Sequence, residues 1–255
     1  MKDIENRSLP QIIAHRGDSS RAPENTLAAF EAAIDSGAHR VEFDVQLTRD
    51  GVPVVFHDDV LDRTTNGSGP VGTLCFVEIR RLDAGSWFGP RFEGQRVPSL
   101  DEVLRLCGSR ICMNVEIKFS DTAQEPDGLE DRVVGALRAH GLAEVTVVSS
   151  FRSAALERVR LLAPEIRRES LYDEGVHPTA LGALEWAATT ASESFNLCLT
   201  TLLSAPWLVT EAHERGLGIK VFTVDEPSEF LQVLELGVDG VFTSRPREFL
   251  ELLQG

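Results

Sequence analysis

Short apolar runs alternate along this chain with longer segments of helical character. The runs are QIIAH at 11–15, RVEFDVQL at 40–47, ICMNVEIK at 111–118, EVTVVSS at 144–150, IRRESL at 166–171, ESFNLCL at 193–199, LGIKVFTV at 217–224 and VDGVFT at 238–243. Their length is that of strands, and between them helices are predicted over Thr26–Asp35, Leu129–His140, Ala154–Leu162, Pro206–Arg215, Ser228–Leu236 and Arg247–Leu253. Glycines at 37, 141, 216 and 237 follow such segments closely, as helix C-termini favour. Eight strands, most followed by a helix, predict an α/β fold of the (β/α)8 TIM-barrel type. The rival is an open Rossmann sheet, but no GxGxxG follows the first strand.

One stretch breaks the rhythm. RVEFDVQL runs through TRDG into VPVVFHD, which reads as a hairpin turned at Asp50-Gly51. From Val60 to about Pro98 the chain is rich in Gly, Thr, Asp and Arg and lacks strong periodicity. A segment this long inside a compact domain is usually functional or a small subdomain. In a barrel it emerges at the C-terminal ends of the strands, where it is expected to wall the active site.

Composition narrows the partners. The 255 residues are 42% hydrophobic and 25% charged, which fits one globular domain rather than disorder or a membrane protein. A net charge of −15 argues against nucleic acid or an anionic membrane as partner. An anionic substrate would then need locally concentrated positive charge. The start, MKDIENRSLP, is polar with no apolar run behind it, so a cytoplasmic location is expected. Four cysteines form no CxxC pair, so no zinc or redox site is predicted. Three of them, Cys107, Cys112 and Cys198, lie in or beside apolar stretches and read as small core residues. Oligomeric state has no signature in the sequence.

Strand parity then singles out chemistry. Glu42 and Asp44 share one face of their strand, with Val41, Phe43 and Val45 on the other, toward the helices. The third barrel strand repeats this: Asn114, Glu116 and Lys118 on one face, Met113, Val115 and Ile117 on the other. Buried like charges repel unless compensated. A divalent cation compensates them directly, and all-oxygen donors favour Mg²⁺ or Ca²⁺ over zinc. Salt bridges to Lys118 and Arg16 are the alternative, and these residues alone do not decide between the two. His15 and His57 each end an apolar strand, where barrel catalytic groups sit, and a histidine pair can share acid and base roles. Arg16 offers a fork for phosphate oxygens and Lys118 a point charge. Gly17 permits a sharp turn. Asn25 reads as the N-cap of the first helix, a role that a part in shaping the site can accompany. His39, His140, His177 and His213 read as solvated surface.

Taken together, these residues resemble the glycerophosphodiester phosphodiesterase family, through AHRG, APENT, EFDVQLTRDG, PVVFHDD, LDRTTNGSG, LDAGSWF, VPSLDEVL, NVEIK and GVDGVFT in order. The resemblance covers nearly the whole chain, read as one barrel domain over 1–255. It implies metal-dependent hydrolysis of glycerophosphodiesters to glycerol 3-phosphate and an alcohol. His15 and His57 would be the acid/base pair, Glu42, Asp44 and Glu116 the ligands of one divalent cation, and Arg16 and Lys118 the phosphate contacts. Residues from about 58 to 98 would be the family's insertion, which helps to select the alcohol. The chain departs from the family pattern at Phe222, where tryptophan is usual, at Asp225, where asparagine is commoner, and at Ser244, where aspartate is frequent. All three fall near the C-terminal rim, so they bear on substrate choice, and Phe222 is a candidate substrate contact.

Two rival readings remain. A lysophospholipase D would need an apolar path for an acyl chain, which Trp87, Phe88 and Phe92 could line; the preferred reading makes them a lid packed on the barrel. A non-catalytic barrel binding a phosphorylated metabolite is disfavoured by the presence of both histidines and all three carboxylates. The expected partner is a small polar glycerophosphodiester, without stable membrane association.

Overall fold

A computed structural model describes residues 9–118 and 128–254. The polar start of the chain therefore lies, up to residue 8, outside the described residues.

Eight parallel strands close a barrel: β1 (Gln11–His15), β2 (Arg40–Leu47), β4 (Cys112–Ile117), β5 (Thr146–Ser150), β6 (Arg167–Tyr172), β7 (Ser194–Cys198), β8 (Gly218–Phe222) and β9 (Gly240–Thr243). Closure comes from β1, which pairs with β2 on one side and β9 on the other. The remaining strand, β3 (Pro53–Val55), is the antiparallel return of the predicted hairpin and sets Val55 opposite Val45. The helices that alternate with the strands are α1 (Leu27–Ser36), α3 (Leu100–Cys107), α4 (Leu129–Ala139), α5 (Ser153–Leu162), α6 (Ala180–Thr189), α7 (Leu199–Ser204), α8 (Leu208–Glu214), α9 (Pro227–Leu236) and α10 (Pro246–Gln254). A single turn, α2 (Phe76–Ile79), lies in the segment before α3.

The strands' outward residues build the core, as parity requires. Val41, Phe43, Val45, Met113, Val115 and Ile117 are buried with Phe30, Val103 and Val133 of the helices. Phe195, Ile219, Val221, Phe230 and Phe249 form the matching cluster on the other flank. Full burial of one such side chain is worth about 1.5–3 kcal/mol, so this double shell is what holds the strand mouths in register. Residues 54–97 bury a separate set, including Val54, Phe56, Leu61, Val71, Ile79 and Val97. The insertion thus has a small core of its own.

Helix α3 was not among the predicted helices, although Ser99 and Glu102 form a reciprocal capping box at its start. Helices α6 and α7 were likewise not among those predicted. Cys112 corrects the reading of a core cysteine: it opens β4 and is exposed, whereas Cys107 is buried. Asn25 is not the N-cap of α1. Thr26 takes that place, its hydroxyl accepting from the Ala29 amide.

Inside the barrel the charged side chains fall in two layers. Toward the strand N-termini, Glu169 accepts from Arg40 at 2.8 Å and from Asn196 at 2.8 Å, and it pairs with Lys220. Asn114, held by Ser149, completes this floor. The second layer, above it, faces the mouth.

Candidate active site

Neighbouring β2 and β4 run in register with Glu42 beside Asn114 and Asp44 beside Glu116. One oxygen from each of Glu42, Asp44 and Glu116 can be chosen so that all three lie within 4.8 Å of one another. Their compensation is partial. Lys118 Nζ is 3.1 Å from Glu116 and 3.7 Å from Asp44, and Arg16 Nε is 3.6 Å from Asp44. Glu42 Oε2 accepts from the Arg16 amide at 3.0 Å, but its buried Oε1 has no hydrogen-bond partner among the described residues.

The electrostatics follow from this shortage. Burial, reinforced by the Asp44 and Glu116 charges, pushes the Glu42 carboxyl well above its usual range. Burial also raises Glu116, against the pull of Lys118. Asp44 is buried too, but Arg16 and Lys118 outweigh that cost and hold it below the usual range. Three oxygen donors, a bare buried lone pair and one negative charge more than Arg16 and Lys118 offset are what a hard divalent cation fits. Sequence reasoning left cation binding and salt bridging open; the side chains do both in part.

The loop after β1 bends back onto this cluster. Arg16 and Asn25 adopt positive φ, 58° and 56°, and the Asn25 amide donates to the Arg16 carbonyl at 3.0 Å. Strained backbone of this kind persists where surrounding contacts over-determine it. Gly17, at φ 89°, leaves no room for a side chain: a Cβ there would lie 2.6 Å from that of Ala29. Asn25, freed from capping, donates its side-chain amide to Asp44 at 2.8 Å.

Each histidine has a different backing. His15 places Nδ1 3.3 Å from the Thr223 hydroxyl and Nε2 3.9 Å from Glu42. Burial among its neighbours, helped by Arg16, pulls its pKa down even though a fifth of the side chain meets solvent. His57 is not on a barrel strand. It follows the β3 return, and Gln46, buried in the barrel, donates to the carbonyls of Phe56 and Asp58 on either side of it. Its Nδ1 lies 2.6 Å from Asp58. Sequence reasoning missed Gln46 and Thr223; strand parity places Gln46 on the face of Glu42 and Asp44, and that signal was available.

His15, Arg16, Glu42, His57, Glu116 and Lys118 line one side of a cavity of about 140 Å³. Phe151, Leu171, Phe222 and Phe242 line the other. Phe222 stands between Phe151 and Phe242, edge-on to both at 5.9 and 6.4 Å. Trp87, Phe88 and Phe92 pack edge to face on one another, at 5.6 and 5.3 Å, away from this lining. Asp225 and Ser244 also stay out of it. They bond to each other, Ser244 donating both its amide, at 2.7 Å, and its hydroxyl, at 3.0 Å, to Asp225. Of the three rim departures only Phe222 faces the cavity. A wider depression between α5 and α6, about 660 Å³, contains Glu157 and Arg160, which pair with each other and leave no free chemistry.

Comparison with known proteins identifies the family. The model of the glycerophosphoryl diester phosphodiesterase family matches residues 15–248. The chain belongs to that family. It is accordingly a phosphoric diester hydrolase. A glycerophosphodiester phosphodiesterase of Caldanaerobacter subterraneus is 38% identical over 245 residues, covering 95% of this chain and 97% of its own. Among solved structures, one from Agrobacterium tumefaciens aligns at 32% identity and TM-score 0.77, over 94% of this chain and 98% of its own. A phosphodiesterase of Oleispira antarctica, in complex with its product sn-glycerol-3-phosphate, aligns at 31% identity and TM-score 0.87, over 97% and 98%. Among the described residues no helix is long and apolar enough to cross a membrane.

Proposed function

We propose that this chain hydrolyses small glycerophosphodiesters to glycerol 3-phosphate and a free alcohol, with His15 and His57 moving the protons. The observation that carries the reading is one small cavity with both histidines and the partly compensated carboxylates on one wall and an apolar surface opposite.

Glu42, Asp44 and Glu116 would hold one divalent cation, Mg²⁺ or Ca²⁺. Bound there, it would supply charge neutralisation at a phosphoryl oxygen. Arg16 and Lys118 reach the cavity from the same wall and would bind the phosphate's other oxygens. The 2.6 Å contact with Asp58 ties up Nδ1 of His57 and leaves Nε2 for proton exchange. His15, kept neutral by burial and Arg16, would be the second acid/base group. Phe222 and its aromatic neighbours would pack against the glycerol carbons and exclude water. The nucleophile is water or the glycerol's own adjacent hydroxyl.

The test uses chelator-stripped protein with glycerophosphocholine or glycerophosphoethanolamine, each with Mg²⁺, Ca²⁺ or Mn²⁺ restored singly, and reads glycerol 3-phosphate. Release that depends on an added cation is the expected result. Equal release without any cation would remove the metal from the proposal. Acylated glycerophosphocholine is the control for lysophospholipase D chemistry: a cavity this small favours the unacylated substrate, and the reverse preference would overturn that choice.

A further inference from the structure

Arg63 lies in the insertion, about half exposed, and lines no part of the cavity. Its guanidinium nevertheless grips two carboxylates at once. Nε and Nη2 reach Asp58 at 2.6 and 2.9 Å. Nη1 and Nη2 reach Glu24 at 2.7 and 2.8 Å. Each carboxylate also holds a group of the cavity wall. Asp58 contacts His57 Nδ1 at 2.6 Å, and Glu24 accepts from Arg16 Nη1 at 2.8 Å. The result is a continuous chain of contacts: His57, Asp58, Arg63, Glu24, Arg16.

An exposed ion pair contributes little on its own. This one differs in being bidentate at both ends, and its two carboxylates are mostly shielded, 14% and 21% exposed. Both sit below the usual carboxylate range despite burial, because Arg63 and their second partners hold them ionised. Without Arg63 each carboxylate would keep one partner, Glu24 the Arg16 guanidinium and Asp58 the His57 ring, but lose the group that fixes its direction. Asp58 could then leave His57 Nδ1, freeing the ring's tautomer, while Glu24 would no longer aim Arg16. Only the planar fork of arginine meets both carboxylates together; a lysine reaches one at a time.

We infer that Arg63 is a positioning residue that sets His57 and Arg16 jointly, from outside the cavity, through Asp58 and Glu24. The inference rests on the proposed roles of His57 and Arg16.

The experiment compares full-length Arg63→Ala, Arg63→Lys, Asp58→Asn and Glu24→Gln with the parent on glycerophosphocholine and its preferred cation. Misplacement of reacting groups by about an ångström costs on the order of 10²-fold, so Arg63→Ala should lose roughly 10- to 100-fold in kcat with an unchanged melting temperature. Methylguanidinium in the buffer should restore part of that loss, and Arg63→Lys should stay impaired. Asp58→Asn should cost much less in the Arg63→Ala background than in the parent. Nitrogen NMR of the His57 ring should report one tautomer, protonated at Nδ1, in the parent and a mixture in Arg63→Ala. Near-parental kcat and kcat/KM in Arg63→Ala, or additive losses with no rescue and an unchanged His57 spectrum, would overturn the inference. An inactive parent, or an active His57→Ala, would instead strike the proposed function, and the His57 spectrum would still decide whether Arg63 orients the ring.

Discussion

The barrel encloses two charge clusters one layer apart, and they obey opposite rules. On the floor, Glu169 has every oxygen occupied: Oε1 by Arg40 and Lys220, Oε2 by Asn196 and Asn114. Burial disfavours its charge, but Lys220 and Arg40 outweigh that and hold it down at about 2. At the mouth, three carboxylates share two cations, Glu42 Oε1 is bare, and burial drives Glu42 and Glu116 upward. Both clusters set carboxylates against an arginine and a lysine inside the barrel, the floor almost fully buried and the mouth slightly more open. What separates their chemistry is saturation. A buried charge whose partners are all supplied by the chain is structure; one left short is held ready for something the chain does not supply.

The largest expected effects separate the layers by kind. At the mouth, His15→Ala or His57→Ala should lower turnover by roughly 10²–10⁴-fold while leaving the melting temperature alone. Near-normal turnover in both would remove the histidines from the reaction. On the floor, Glu169→Ala leaves Arg40 and Lys220 buried without a counter-charge and should cost about 3–5 kcal/mol of stability in urea titrations. The sign with pH follows from its depressed value. In the unfolded chain Glu169 titrates near the ordinary 4.5, in the fold near 2, so its contribution is present above 4.5 and lost as pH falls through that window. Glu169→Gln should therefore converge on the parent as pH is lowered from 4.5 toward 2. A stability difference that persists unchanged there would mean the floor is held by packing, not by charge.

The two layers were unequally legible in the sequence. The mouth could be read because its groups lie on local patterns: Glu42 and Asp44 two apart on one strand, Glu116 on another with Lys118 just past its end, His15 at a strand end. The floor could not. Lys220 is one polar residue in an apolar run, Arg40 and Glu169 stand among other polar residues, and what joins the three is closure of the barrel across 129 and 51 residues. Phe151 and Phe242 escaped for the same reason, being ordinary apolar residues until the rim brings them around Phe222. Asn25 was only half read, because a capping residue and a residue that reaches into the site look alike in PENT: the site role stands and the cap passes to Thr26, while the backbone bond to the Arg16 carbonyl accompanies the positive φ of Asn25. Arg63 offered only a charge in a loop, and its importance depends on Glu24, 39 residues away.

Cation binding is the next smaller effect, and it sharpens the contrast directly. A ligand that binds only the fold stabilises it by about 2.7 kcal/mol at a hundred times its Kd. Mg²⁺ or Ca²⁺ should raise the melting temperature of the parent and of an Arg40 or Lys220 variant, but not that of Asp44→Asn or Glu116→Gln. An equal rise in all of them would place the cation elsewhere.

The smallest effect tests whether the mouth is strained as built. Glu42→Gln keeps an acceptor for the Arg16 amide and removes one of three crowded charges. Because the Glu42 carboxyl is raised in the fold, ionising it is costlier there than in the unfolded chain. The parent thus loses stability as pH rises from the ordinary carboxylate range through that raised value, and the glutamine variant does not. In chelator, at neutral pH, the variant should be the more stable protein by on the order of 1 kcal/mol, while at pH 4 the two should coincide. With saturating cation the order should reverse, because the parent then gains what the variant can no longer bind. A variant less stable than the parent in chelator at neutral pH would show that Glu42 is satisfied without a cation, and the distinction between floor and mouth would rest on activity alone.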